Sequence, residues 1–140
     1  MAIVDGSILT AADLAGITTL NGGWTSYTPT WTNLTVGNGT NLGSYIQFGK
    51  TVLCRIQLTF GSTTSVSGVF GASIPVSGAT TYSATLPGFM LDTSGTVYVP
   101  CSLVANVATI VSPSGRSSAT VPWTWTTGDL IVINGSYQSV

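Results

Sequence analysis

The strongest periodicity in the chain runs through Thr51–Phe60. Val52, Cys54, Ile56, Leu58 and Phe60 occupy every second position, and Thr51, Leu53, Arg55, Gln57 and Thr59 fill the alternate ones. A period of two is the mark of a pleated strand with one face on a core and the other mainly polar. Weaker versions of this pattern surround it. Thr28–Val36 reads as a strand closed by the turn Gly37-Asn38-Gly39, and Asn41–Phe48 as another, joined to Thr51 through the tight turn Gly49-Lys50. Gly61–Gly68 reads as a polar loop, and Val69–Val76 as a strand ending at Pro75. Thr96–Val104 carries Pro100, which belongs at an edge or a bulge. Ala105–Val111 is a further strand, and Ser117–Thr127 places Trp123 and Trp125 two apart on one strand face. In the final strand, Leu130–Tyr137, Leu130 and Val132 oppose Ile131 and Ile133. Both of its faces are therefore apolar, which predicts a central strand or a face spent on a subunit interface. Asp92-Thr93-Ser94-Gly95, Ser112-Pro113-Ser114-Gly115 and Gly128-Asp129 are turns, and Ala79–Pro87 and Ser112–Ser118 are exposed loops.

Eight or nine short strands at this spacing predict an all-β domain over residues 24–140, a two-sheet, jelly-roll-like β-sandwich. Residues 1–23 differ and read as an N-terminal arm. Ile3, Ile8, Leu9, Leu14, Ile17 and Leu20 supply apolar anchors without strand alternation. Thr10-Ala11-Ala12-Asp13 fits a helix start, and Gly16 ends the helix after about one turn. So short a helix is not stable alone, so the arm is expected to pack on its own domain or on a neighbouring protein. The hinge-like Asn21-Gly22-Gly23 favours the neighbour.

Composition agrees with this picture and narrows the chemistry. Of 140 residues, 44% are hydrophobic, enough for one domain's core, and only 5% are charged. The charges are Lys50, Arg55 and Arg116 against Asp5, Asp13, Asp92 and Asp129, with no His and no Glu. Histidine acid–base chemistry is therefore excluded. Four scattered Asp make no paired-carboxylate site, and Asp92 with Thr93 and Ser94 is too thin a set for calcium. No catalytic residue, metal site or cofactor is expected, and the chain does not read as an enzyme. Three cations cannot neutralise a run of phosphates, so nucleic acid is not an expected partner. Lys50 sits in a hairpin turn as a solvated charge, and Arg55 either pairs with an Asp across a sheet or subunit contact or is solvated. No run reaches the length of a membrane helix, and the N-terminus lacks the pattern of a secretory leader. Without that leader, the triplets beginning at Asn33, Asn38 and Asn134 carry no weight as glycosylation acceptors. Cys54 and Cys101 read as buried thiols rather than a disulfide. A mean hydropathy of +0.46 with so few charges makes a lone subunit prone to associate. Trp24, Tyr27 and Trp31 near the domain entrance, with Trp123 and Trp125, read first as packing aromatics of the core or an interface, and otherwise as a sugar-stacking platform.

Trp24-Thr25-Ser26-Tyr27-Thr28-Pro29-Thr30-Trp31, then Val36-Gly37-Asn38-Gly39-Thr40 and Gly43-Ser44-Tyr45-Ile46-Gln47-Phe48-Gly49-Lys50-Thr51-Val52, form a familiar series. It resembles the β-sandwich module of tailed-phage virion proteins: the minor tail, tail-fibre and head-surface proteins, especially of phages of actinobacteria. Leu9-Thr10-Ala11-Ala12-Asp13-Leu14 is similar to the lead-in of that module, and Ser73-Ile74-Pro75-Val76 to a later strand end. The resemblance covers roughly residues 9–76. One departure is Ser44 before Tyr45, where a basic residue is frequent. The resemblance implies a structural virion protein with no catalytic residues, made in the host cytoplasm and resident on the particle. The first expectation is a capsid decoration protein, a homotrimeric knob whose arm binds the major capsid protein. The alternative is a minor tail or tail-fibre module that contacts other tail proteins or host cell-wall glycan.

Overall fold

The alternating segment forms β4 (Thr51–Thr59), and its pattern is kept residue by residue. Val52, Cys54, Ile56 and Leu58 are buried, while Thr51, Leu53, Arg55 and Gln57 face solvent. The computed structural model describes residues 23–79 and 84–140. The arm anchors, the helical turn and Tyr82 lie outside the described residues. β4 is one of ten strands: β1 (Thr25–Tyr27), β2 (Trp31–Thr35), β3 (Thr40–Phe48), β5 (Ser65–Ala72), β6 (Thr85–Asp92), β7 (Val97–Val104), β8 (Thr109–Ser112), β9 (Gly115–Arg116) and β10 (Leu130–Gln138).

Eight strands form one antiparallel sheet in the order β1-β3-β4-β10-β6-β7-β8-β9, and β2 pairs with β5 in a second. The fold is an all-β two-sheet sandwich. The two-stranded sheet is tied to both ends of the large one. On one side Trp31 Nε1 donates to Asn41 Oδ1 on β3 (3.0 Å), and Asn41 Nδ2 donates to the Pro29 carbonyl (2.8 Å). On the other, Phe70 N donates to the Ser117 carbonyl (3.1 Å) just beyond β9. The sheet thus curls until its ends flank β2 and β5. The enclosed core is apolar and mainly aliphatic, with the Phe70 ring among the aliphatic side chains: Val52, Leu58, Phe70, Leu86, Met90, Leu103, Ile110, Ile131 and Ile133 are fully buried.

β10 lies inside the large sheet, paired with β4 along its whole length and with β6 from Leu130 to Ile133. Of the two readings of its doubly apolar pattern, the central position is the one found. The Gly49-Lys50 turn holds as expected. Gly49 has φ +57°, which suits the first central position of a two-residue hairpin turn, and Phe48 pairs with Thr51 across it. Both prolines within strands sit where a ladder is incomplete. Pairing of β10 with β6 stops at Gly88, beside Pro87, and pairing of β8 with β7 begins only at Ser102, beyond Pro100.

Several boundaries move, each for a local reason. Thr28–Val36 is extended only over β2 (Trp31–Thr35), and the strand before it, β1, ends at Tyr27 and belongs to the other sheet. Pro29 cannot donate to a ladder, and the chain crosses between layers there. Residues 65–68 belong to β5 rather than a loop, because Val66 pairs with Leu34. That strand ends at Ala72, before Ser73–Val76. β6 starts at Thr85, inside the stretch read as a loop. Ala105–Val107 is a 3₁₀ turn closed by Ala108 in the left-handed region (φ 45°), so only Thr109–Ser112 is extended. Ser117–Thr127 is not a strand. It makes a single bridge between Ser118 and Val121 and contains a cis Val121–Pro122 bond.

β5 approaches the start of β8 so closely that only glycine fits at position 71, where a Cβ would collide with the Ala108 carbonyl. The obstacle is backbone, so no side-chain rotation relieves it. Gly71→Ala is expected to cost about 3 kcal/mol or more of stability. Urea unfolding of this variant beside Gly68→Ala, whose Cβ would meet only Asn33 at 3.4 Å, checks this.

Candidate interaction surface

The solvent side of the large sheet is built by the positions that alternate with the core. Because register aligns them, they form rows across strands. Leu42, Gln57, Val132, Phe89 and Pro100 make one row; Ser44, Arg55 and Asn134 the next; Ile46, Leu53 and Ser136 the third. This face is apolar to an unusual degree for one turned to water. Leu42 is 54% exposed and Tyr98 63%, and Leu53 is also exposed. Phe89 and Tyr98 rings lie 5.8 Å apart on it.

Arg55 stands in the middle. Its guanidinium lies 4.0 Å from the centre of the Trp24 ring, within cation–π range. Two shallow depressions flank the Arg55–Asn134 ridge. One, of about 340 Å³, is lined by Leu42, Gln57 and Val132; the other, of about 330 Å³, by Trp24, Leu53 and Ser136. Neither described carboxylate serves Arg55. Asp92 accepts from the Ser94 hydroxyl (2.6 Å) and from the Ser94 and Gly95 amides (2.9 and 3.1 Å). These bonds, the Ser94 hydroxyl first, hold its carboxyl below the usual range.

Asp129 is fully buried. Its Oδ1 accepts from Thr93 N (3.0 Å), Thr93 Oγ1 (3.1 Å) and Thr126 Oγ1 (3.3 Å), and its Oδ2 from Thr126 N (2.7 Å) and Trp123 Nε1 (3.2 Å). A buried carboxylate is tolerable only with such a complement of donors.

The candidate aromatics do not form one platform. Trp24 is 39% exposed on the outer face. Tyr27 turns inward, edge-on to Tyr45, with its hydroxyl 3.3 Å from Cys54 Sγ. Trp31, Trp123 and Trp125 join a cluster with Phe60 and Phe70 at one end of the core. Trp125 stacks on Phe60 at 4.6 Å and 8°, meets Phe70 edge-on and lies 5.1 Å from Trp123, while its Nε1 donates to the Ser118 carbonyl (2.8 Å). Searches of protein-family models, curated proteins and solved structures found no match to this chain.

Cys54 and Cys101 are free and buried. Burial raises both thiols, Cys101 to about 12; at Cys54 the bond from Tyr27 acts in the opposite direction. Burial likewise pushes Tyr137 up to about 12, against the pull of the Val76 backbone. Tyr27 also moves upward, through burial first and then its bond with Cys54. Protonated thiols are weak nucleophiles, so these groups serve packing. Two features escaped the sequence reading. The stacking of Arg55 under Trp24 has no sequence signal, since the two residues are 31 positions apart. The Asp129 hub had a faint one, an Asp three residues after a Thr and following a turn glycine.

Asp129→Asn replaces an acceptor oxygen with a donor facing other donors. A loss on the order of 3 kcal/mol is expected, read by urea unfolding, with a weakened near-ultraviolet dichroism signal from the loosened tryptophans. The raised thiol and phenol set an alkaline limit. The folded state holds these protons more tightly than the unfolded chain, whose ordinary values are 9.0 for Cys and 10.0 for Tyr. Their contribution is full below pH 9 and is lost as pH rises from there through about 12. Unfolding midpoints between pH 7 and 11 should fall above pH 9, less steeply in Cys101→Ala.

Proposed function

We propose that this chain is a structural component of a tailed-phage particle, a capsid decoration protein that binds the outer head surface as an oligomeric knob and acts by adhesion rather than turnover. The observation that carries the reading is the outer sheet face, where Leu42, Val132, Phe89 and Tyr98 present apolar surface around Arg55. Such surface gains about 25 cal/mol for each Å² removed from water. It suits contact with sister copies and with the major capsid protein. The resemblance over residues 9–76 supports the same reading. A tail-located module reading host glycan draws on that resemblance too, but four of its five candidate aromatics are packed against the core and only Trp24 is exposed.

Copy number on purified particles tests the location: many copies per head for decoration, few for a tail tip. Adhesion through the face is tested by Leu42→Lys combined with Tyr98→Asp. Both sites are exposed, so unfolding stability should change by less than about 1 kcal/mol. Sedimentation should show the oligomer dissociated, and binding to particles stripped of the protein should fall at least tenfold. Unchanged association and binding in this variant would overturn the proposal.

A further inference from the structure

We propose that a second copy of this chain seats the turn between its β6 and β7 on the outer sheet face, with its Asp92 paired to Arg55. The inference rests on the reading that this face holds sister copies, and it names the contact that fixes them. It starts from what covering the face demands. Arg55 stands among Leu42, Leu53 and Val132 around the two depressions. Covering those side chains withdraws the guanidinium from water as well, and a buried guanidinium is tolerated only with an anion and matching acceptors. The Trp24 ring, 4.0 Å away, offers its N–H groups no acceptor in the plane of the fork. Ser44 and Asn134, its neighbours in the same row, are neutral. A partner that covers this face therefore has to bring a carboxylate.

Of the two described carboxylates, Asp92 meets that demand. Asp129 is fully buried within its own five hydrogen bonds. Asp92 takes its bonds from the Ser94 hydroxyl and the Ser94 and Gly95 amides on Oδ1, and Oδ2 accepts none of them. The turn around it projects. Thr93, Ser94, Gly95 and Thr96 are exposed, and Val97, paired across the hairpin with Asp92, is 46% exposed. A carboxylate beside an exposed isopropyl group matches the receiving face, where Arg55 borders a depression of about 340 Å³ walled by Leu42 and Val132. Within one chain the two halves cannot meet. Leu91 is level with Thr59 through Leu130, so Asp92 lies two strands across from Arg55 and more than four residues along. At about 4.8 Å per strand and about 3.3 Å per residue, that gap exceeds any side-chain contact. Each copy carries both halves, so the same contact repeats around a closed ring such as the expected homotrimer. One pair of this kind fixes register in an otherwise apolar contact.

Sedimentation equilibrium of the full chain tests the pair through Arg55→Gln, Asp92→Asn and the double variant. Asn keeps the side-chain oxygen to which Ser94 and Gly95 donate and removes only the charge. Each single substitution is expected to weaken self-association about fivefold or more, and the double variant no further than the weaker single, the mark of a direct pair. Circular dichroism verifies that each variant is folded. Position is tested by Val97→Cys with Ser44→Cys and a short bis-maleimide linker; the native thiols are buried. An intermolecular product about tenfold above that of Val97→Cys with Ser114→Cys, in the turn between β8 and β9, is expected. Losses that multiply in the double variant, a cross-link yield equal to the control, or a native chain that sediments as a monomer would overturn the proposal. Leu42→Lys with Tyr98→Asp dissociates copies held by the face whichever pair fixes them. A chain that responds to that variant but not to Arg55→Gln or Asp92→Asn therefore rejects this pair and leaves adhesion through the face standing.

Discussion

The Asp129 carboxylate decides how the sandwich closes at its aromatic end. Through its five hydrogen bonds it joins the Thr93 turn between β6 and β7 to the irregular segment that holds Trp123 and Thr126. Its own backbone carbonyl accepts from Phe60 N (2.8 Å), and the Phe60 carbonyl accepts from Gly128 N (2.8 Å). The end of β4, the β6–β7 turn and the start of β10 are therefore fixed to one another. Residues 117–128 have almost no ladder of their own. Without this anchor nothing regular would hold Trp125 flat on Phe60, and that stack covers the end of the core.

The opposite problem, a sheet with many strands and few charges, is handled by strand length and proline. β1 has three residues and β9 two, so the ends of the large sheet offer little backbone for another chain to pair with. Pro87 and Pro100 stand where neighbouring ladders are incomplete and lack the donor that an added strand would require. The β2 strand carries a register shift between Thr32 and Leu34, with Asn33 at φ 53° and its amide donating to the Val69 carbonyl (2.7 Å). These devices discourage edge-to-edge growth and leave the face as the broad surface open to contact.

The parts legible in the sequence were those where one force acts alone. β4 buries every second residue, and its alternation shows it. β3 and the Gly49 hairpin follow from spacing and turn chemistry, and β10 is apolar on both sides because it is central. The misread parts are those where tertiary contacts override local pattern. Thr28–Val36 has strand composition throughout, yet Pro29 passes the chain from one sheet to the other. Ser65–Gly68 looks like a loop until Leu34 is brought beside Val66. Trp123 and Trp125 share an alternation that suggests a strand, but their indoles are placed by Asp129 and the Ser118 carbonyl. Trp24 was not separable in the sequence from the aromatics that pack inside, and its contact with Arg55 depends on β1 lying against β3 and β3 against β4.

The scarcity of charge also sets how such a face can recognise a partner. Long-range steering needs a field, and a chain with three cations, four carboxylates and net charge −1 generates little. For the partners proposed, encounter would be governed by diffusion and orientation, and specificity by shape matching over the row of Leu42, Val132 and Phe89. Binding of this kind depends weakly on salt, because screening acts on exposed charges that are nearly absent. It carries instead the negative heat-capacity change of apolar burial. A surface of this type gains most where copies are held side by side. Once one copy is fixed, each neighbour meets an apolar face at high local concentration and needs no charge to guide it.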